Sequence, residues 1–193
     1  MARTLKNNLT AVIIKDISNY VIRQHIMRYI FASKLVKGYV LDVACGTGYG
    51  TVYLSPKCDH AVGVDISKKA LNIATSRNSR SENVSFILAD ATELPFSDNK
   101  FDTVISFETI EHIKDYQKFL MEIKRVLKPN GIFVCSTPNV KYTQHPIYHI
   151  KEFYPDEFFR VIQKFFSEVE CYGQYISVNR AIKDTLSYAK GKK

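Results

Sequence analysis

The chain has 193 residues, 46% of them hydrophobic and 24% charged, a length and balance that fit one globular domain and exclude a disordered tail or a coiled coil. No apolar run approaches the roughly 18 residues needed to span a bilayer, and four scattered cysteines (Cys45, Cys58, Cys135, Cys171) with no Cys-x-x-Cys pair exclude a zinc knuckle or a disulfide-stapled mini-protein and fit a reducing compartment. The formal charge of +8 sits at the ends: residues 1–38 carry seven Lys or Arg against one acid and 180–193 five against one, while 39–179 carry 15 against 17, so the excess describes solvated flanks before it describes a polyanion-binding face.

The first residues hold no apolar leader segment, so a cytoplasmic protein is expected. Residues 9–36 place Ile17, Tyr20, Val21, Ile26, Tyr29 and Ile30 on one stripe, which predicts one or two amphipathic helices before Gly38. Tyr39–Val43 is a short apolar run ending in a glycine cluster, a buried strand and a loop. Ala61–Asp65 is the next strand, followed by a helix from Ser67, a good N-cap, to about Asn78. Val84–Ala89 and Phe101–Phe107 read as strands three and four. Asp115–Leu127 is a helix with Tyr116, Phe119, Leu120, Ile123 and Leu127 on one face, closed by Pro129-Asn130-Gly131, and Ile132–Thr137 is the fifth strand. A loop rich in His and Tyr lies between Pro138 and Pro155, then a helix over Phe153–Phe166 and a sixth strand over Ser167–Ile176. Apolar strands alternating with helices describe a doubly wound, mostly parallel sheet in an α/β/α sandwich.

In such a sheet ligands bind beyond the carboxyl ends of the strands. After the first strand comes Asp42-Val43-Ala44-Cys45-Gly46-Thr47-Gly48-Tyr49-Gly50, a loop whose glycines let a ligand approach the main chain. Strand two ends in Asp65, placed to accept two hydrogen bonds from a ribose diol, and strand three in Asp90-Ala91-Thr92, beside which an exocyclic amine could sit. Strand four runs into Glu108-Thr109-Ile110-Glu111-His112. A nicotinamide or flavin dinucleotide would require Gly-x-Gly-x-x-Gly, but position 51 is Thr and the third glycine falls one earlier, at Gly50. The acid at Asp42 would serve a pyrophosphate poorly and an ammonium well, so an adenosine bearing an amino acid, S-adenosylmethionine, fits the spacing better than a dinucleotide.

The run Val40–Gly50 resembles the first motif of class I S-adenosylmethionine-dependent methyltransferases, and the similarity continues in order through Gly63-Val64-Asp65-Ile66-Ser67, Ala89–Phe96, Phe101–Phe107 and Arg125–Ile132. The resemblance is of the type 11 kind. Arg28–Ala32, Ser136–Asn139 and His149–Phe153 resemble a subgroup associated with glycan synthesis. It implies a Rossmann-like fold, S-adenosylmethionine as cofactor, and Asp42, Ala44, Gly46, Thr47, Gly48, Asp65, Ile66, Asp90, Ala91 and Phe107 around it. The family sheet normally closes with an antiparallel seventh strand, but residues 177–193 are short and polar, so that strand is expected to be missing and the sheet edge bare, covered by the N-terminal helices or paired with a second copy. The division expected is N-terminal helices over 1–38, a cofactor-binding core over 39–140, and an acceptor-side lid with the last strand over 141–193.

The acceptor chemistry falls to Glu108, Glu111, His112 and His149. Three readings stand side by side. His112 is a general base oriented by the carboxylates. Alternatively the four residues ligate a divalent metal, since Glu-x-x-Glu-His with a later His resembles the metal site of small-RNA 3′-terminal 2′-O-methyltransferases, and its first part the ubiquinone-pathway O-methyltransferases. In the third, Glu-His merely packs beside the cofactor. The function expected is methyl transfer to a small-molecule or glycan-linked acceptor, at a hydroxyl oxygen; the alternatives are 2′-O-methylation of an RNA end and a non-catalytic cofactor-binding subunit. Cys45 reads as a packed side chain, Tyr142, Tyr148 and Tyr154 as lid packing or as the lining of an acceptor pocket, His25 and His60 as helix-face or surface residues, and His145 as a spare for His149.

Overall fold

The computed structural model of the protein describes residues 20–78, 81–141, 146–175 and 187–190. In chain order the elements are α1 (Tyr20–Ala32), β1 (Tyr39–Val43), α2 (Tyr49–Leu54), β2 (His60–Asp65), α3 (Lys68–Arg77), β3 (Val84–Leu88), β4 (Phe101–Phe107), α4 (Tyr116–Val126), β5 (Leu127–Ser136), α5 (Pro155–Gln163), β6 (Tyr172–Tyr175) and β7 (Ser187–Lys190). Local chemistry sets several ends. The Ser67 hydroxyl accepts the N–H of Ala70 at the start of α3, and Asp115 accepts that of Lys118 at the start of α4. Pro155 opens α5, with Asp156 and Glu157 in its first turn, where the helix dipole favours negative charge.

Five strands form a parallel sheet in the order β3-β2-β1-β4-β5. The two-residue period of the strands divides the core between two faces. Leu41, Val43, Val62, Val64 and Val104 meet Phe119, Leu120 and Ile123 of α4 and Val161 and Ile162 of α5. Val40, Ile105 and Phe107 meet Tyr29 and Ala32 of α1 and Leu54 of α2. The architecture is thus the three-layer α/β sandwich expected, and the chain crosses from β3 to β4 on the far side of β1, so the switch point lies between the carboxyl ends of β1 and β4.

Two expectations at the end of the chain need correction. The fifth strand begins at Leu127, paired with Phe101, and Lys128–Gly131 bulges out before pairing resumes at Ile132 with Thr103; Lys128 is held there by Asp102 at 2.8 Å. The sixth strand does not extend the sheet. After α5, Phe165 and Phe166 pack on the core, Phe166 against Phe133 of β5 with ring centroids 5.2 Å apart, and β6 pairs antiparallel with β7 in a separate two-stranded ribbon. So the polar tail does supply an antiparallel strand, but outside the five-stranded sheet. The ribbon rests on α1, with the Gln174 amide donating to the Gln24 carbonyl and Tyr172 against Phe31. The expected helix upstream of α1 and residues Tyr142 and His145 lie outside the described residues.

The link between β3 and β4 is held to α4 by one side chain. Arg125 donates to both oxygens of Glu122, to Asp98, and to the carbonyls of Leu94 and Phe96, at 2.6–2.9 Å. Removing it takes a donor from the Phe96 carbonyl and leaves the Leu94 carbonyl with the Phe96 N–H alone. Arg125→Ala is expected to lower stability by about 2 kcal/mol, and Arg125→Lys to recover little of it, because one ammonium cannot span the same acceptors; urea denaturation at neutral pH checks both.

Candidate active site

The adjacent strands β1 and β4 each end on a non-glycine residue in the left-handed region, Ala44 at φ 60° and Glu108 at φ 52°. Such backbone persists only where its surroundings enforce it, and it gathers at ligand sites. Here both positions directly follow neighbouring strands at the switch point. The loop after β1 is tied down by the Cys45 N–H to the Val64 carbonyl at 2.9 Å and the Gly48 N–H to the Cys45 carbonyl at 3.0 Å. Gly46 has φ 56°, and a β-carbon added to it would meet nothing within 4 Å, so its main chain faces open space. Thr47 follows it, half-buried, and Gly48 caps α2. Burial raises the pKa of the Cys45 thiol, which keeps it protonated and inert.

Asp65 is locked toward the loop. One carboxylate oxygen accepts the Gly46 N–H and the other the Ser67 N–H, both at 2.8 Å. Next to it Ile66 is 72% exposed, an apolar side chain with no protein cover. Asp90 is exposed and accepts the N–H and hydroxyl of Thr92 at 2.8 Å, bonds that hold its carboxyl below the usual range; Ala91 packs at the margin of the core. These residues lie at the carboxyl ends of β1, β2 and β3.

Asp42 and Phe107 lie deeper. Both are on the α1 face, and Asp42 is fully buried. It accepts the Tyr29 hydroxyl at 3.1 and 3.2 Å and the Thr51 hydroxyl at 2.7 Å, so it supports the loop from beneath. Phe107 packs edge-on against the same Tyr29 ring, 5.1 Å between centroids. This explains both departures from the dinucleotide pattern. Thr51 stands where glycine would be required because its hydroxyl serves Asp42, and Gly50 is glycine because a β-carbon there would fall 2.0 Å from the Tyr29 ring.

Past β4 the four acceptor-side candidates separate into two groups. Glu108 accepts the Ser136 hydroxyl at 2.8 Å and lies 3.3 Å from the Arg28 guanidinium, apart from the group the other three form. The other three converge: a carboxylate oxygen of Glu111 and one ring nitrogen each of His112 and His149 lie within 4.8 Å of one another. Glu111 is fully buried; Thr137 donates to one oxygen at 3.1 Å and the other has no hydrogen-bond partner. Burial, with the Glu108 charge adding to it, raises its pKa to about 7. His112 engages the Tyr148 carbonyl through Nδ1 at 3.1 Å with the Tyr148 ring stacked on it, and His149 engages Glu152 through Nδ1 at 2.7 Å. The lid is joined to this group through the Glu111 carbonyl, which accepts the N–H of both Ile150 and Lys151.

One residue escaped the sequence reading. Arg28 of α1 is mostly buried, and its Nη1 has no hydrogen-bond partner. Its charge reaches Tyr49, directly after the loop. The stretch Arg28–Ala32 stands out in the sequence only for its resemblance, which gives no role to Arg28. His25 lies beside Arg28 and Glu108, where burial lowers its pKa, and His60 pairs with the Ser85 hydroxyl; neither faces the site group.

A family model described as a methyltransferase domain matches residues 41–135, from β1 through β5. Over that span the chain carries a methyltransferase domain. A demethylmenaquinone methyltransferase of Staphylococcus aureus is 38% identical over 116 residues, 58% of this chain and 47% of that protein. The chain therefore spans about half the length of the curated relatives it matches. Among solved structures, a Haloferax volcanii methyltransferase in complex with the Trm112 activator aligns over 90% of this chain and 82% of that one with a TM-score of 0.69 at 20% identity. The YcgJ protein of Bacillus subtilis aligns over 78% and 70% with a TM-score of 0.68 at 24% identity. Both share the methyltransferase fold. Among the described residues no helix is long and apolar enough to cross a membrane.

Burial raises the pKa of Asp42 from 3.8 to about 7. Between those values the unfolded chain has lost this proton and the folded chain still holds it, so this carboxyl's contribution to stability falls as pH rises through the window and is level above it. Relative to Asp42→Asn, the wild-type protein is expected to lose on the order of 3 kcal/mol between about pH 4 and about pH 7, measured as the difference in denaturant midpoints across that range.

Proposed function

We propose that the chain binds S-adenosylmethionine along the carboxyl ends of β1, β2 and β3 and transfers its methyl group to a hydroxyl oxygen of a small molecule. The observation that carries this reading is the pairing of an open Gly46 backbone with a carboxylate, Asp65, already bonded to that residue's N–H. Each Asp65 oxygen keeps a further acceptor position for a ribose hydroxyl. Exposed Ile66 offers an apolar face to the adenine, and the unpartnered Nη1 of Arg28 a charged donor to the amino-acid carboxylate. Bound there, the cofactor supplies an electrophilic methyl on a sulfonium.

The chain's own task is to hold the acceptor in line and take its proton. The Tyr148 carbonyl can only accept, so Nδ1 of His112 carries the hydrogen and the lone pair of Nε2 is left on the site side, 3.9 Å from Glu111. The proton of an acceptor hydroxyl is received at this group. The name of the Staphylococcus aureus relative, a demethylmenaquinone methyltransferase, supports a small molecule over an RNA end; a glycan-linked hydroxyl belongs to the same chemical class.

Calorimetry with S-adenosylhomocysteine tests the cofactor reading. Saturable binding is expected, weakened about 10-fold in Arg28→Ala and at least as much in Asp65→Ala, in line with the loss of a charged hydrogen bond. Absence of heat at millimolar ligand sinks the proposal, and unaltered affinity in Arg28→Ala removes that residue from it. With a carbon-13 methyl donor, an O-methyl resonance in the product supports the hydroxyl acceptor, and an N-methyl or C-methyl resonance overturns it.

A further inference from the structure

We infer that Glu111, His112 and His149 form a binding site for a single first-row transition-metal dication, of the manganese, iron, cobalt or zinc class, set between the end of β4 and the lid. The inference concerns the acceptor side alone and stands independently of what occupies the glycine loop; with the ion bound, Nε2 of His112 is a ligand and no longer receives the acceptor's proton.

Four features point to a ligand. The donor atoms already converge within 4.8 Å. One oxygen of Glu111 is fully buried with no hydrogen-bond partner, a state that costs free energy unless something completes it. Both histidines have Nδ1 engaged by a pure acceptor, the Tyr148 carbonyl and the Glu152 carboxylate. Each neutral ring therefore carries its hydrogen on Nδ1 and keeps Nε2 as a lone pair, the tautomer a metal requires. Glu152 is itself nearly buried at 8% exposure, so His149 has the carboxylate support that orients metal-bound imidazoles.

The donor set also chooses the ion. Two imidazoles and one carboxylate suit borderline first-row dications; magnesium and calcium prefer sites made of oxygen alone. Glu108, which would have made the set richer in oxygen, is held by Ser136 and Arg28. Donors around such an ion, with bonds of about 2.1 Å, stand roughly 3 Å apart. The three groups must therefore draw together by an ångström or more, a movement within reach of the His112 ring, which is 39% exposed. Three protein ligands leave coordination positions open, where oxygen of a hydroxyl or of water would complete the shell.

The test is titration of the full chain with cobalt(II), without methyl donor, followed by d–d absorption and calorimetry. One equivalent is expected to bind, with magnesium in about 100-fold excess failing to displace it. His149→Ala and Glu111→Gln should weaken cobalt at least 100-fold, Glu152→Gln 10- to 100-fold, and His60→Ala not at all. Circular dichroism verifies that each variant folds, and His149→Ala decides the matter if the buried Glu111→Gln does not. No saturable cobalt signal, a signal retained in His149→Ala, or a sulfur-to-cobalt charge-transfer band overturns the site. Because no methyl donor is present, failure here leaves the cofactor reading intact, and failure to bind S-adenosylhomocysteine leaves this one intact.

Discussion

The buried carboxyl of Asp42 is the constraint around which the site is built. It lies in the middle strand with no exposure, and its oxygens are taken by Tyr29 from α1 and Thr51 from α2. A polar group at that depth is tolerated only with partners, and leaving one unmade costs about 1–3 kcal/mol. Three elements must consequently meet at one point: the N-terminal helix, the first strand and the helix that follows the glycine loop. The loop spans the gap between the second and third of these, so its shape is fixed by a contact on the side away from any ligand. Gly50 belongs to the same arrangement, since the Tyr29 ring occupies the space a side chain would need.

The layout of strands and helices was readable because each local pattern agreed with the global fold. The buried centre of β2, Ala61–Val64, appears in the sequence as a short run without a polar side chain, and the caps at Ser67 and Asp115 stand where their helices begin. Reading failed after α5. There Ser167–Ile176 reads as a sixth strand of the sheet, whereas the strand is Tyr172–Tyr175 and pairs with β7, and Phe166, from the end of the expected helix, packs on Phe133 of β5. Pairing between strands is a long-range property, and short polar segments such as β7 carry no periodicity that announces it.

The site was legible in part for the same reason. Loop residues and Asp65 are set by their spacing from strand ends, which sequence displays. Arg28 and the division of Glu108 from Glu111 are not, because they depend on which side chain the packed α1 brings to the end of β4. Two glutamates three positions apart look equivalent along the chain. In the fold one forms an ion pair with Arg28 and the other is sealed against Thr137, where burial raises its pKa.

The main-chain oxygen of Glu111 receives two successive amides from the segment that crosses over it. That crossing stretch cannot swing outward as a free flap: displacing it uncouples both amides from the very peptide unit whose side chain is sealed below. Room for a bulky molecule on this side is therefore won at the expense of order in the residues that would act on it, and a slender guest that slides beneath without lifting the strap keeps them in register. Size discrimination would then arise from mechanical linkage, with no dedicated wall needed to exclude the larger molecule.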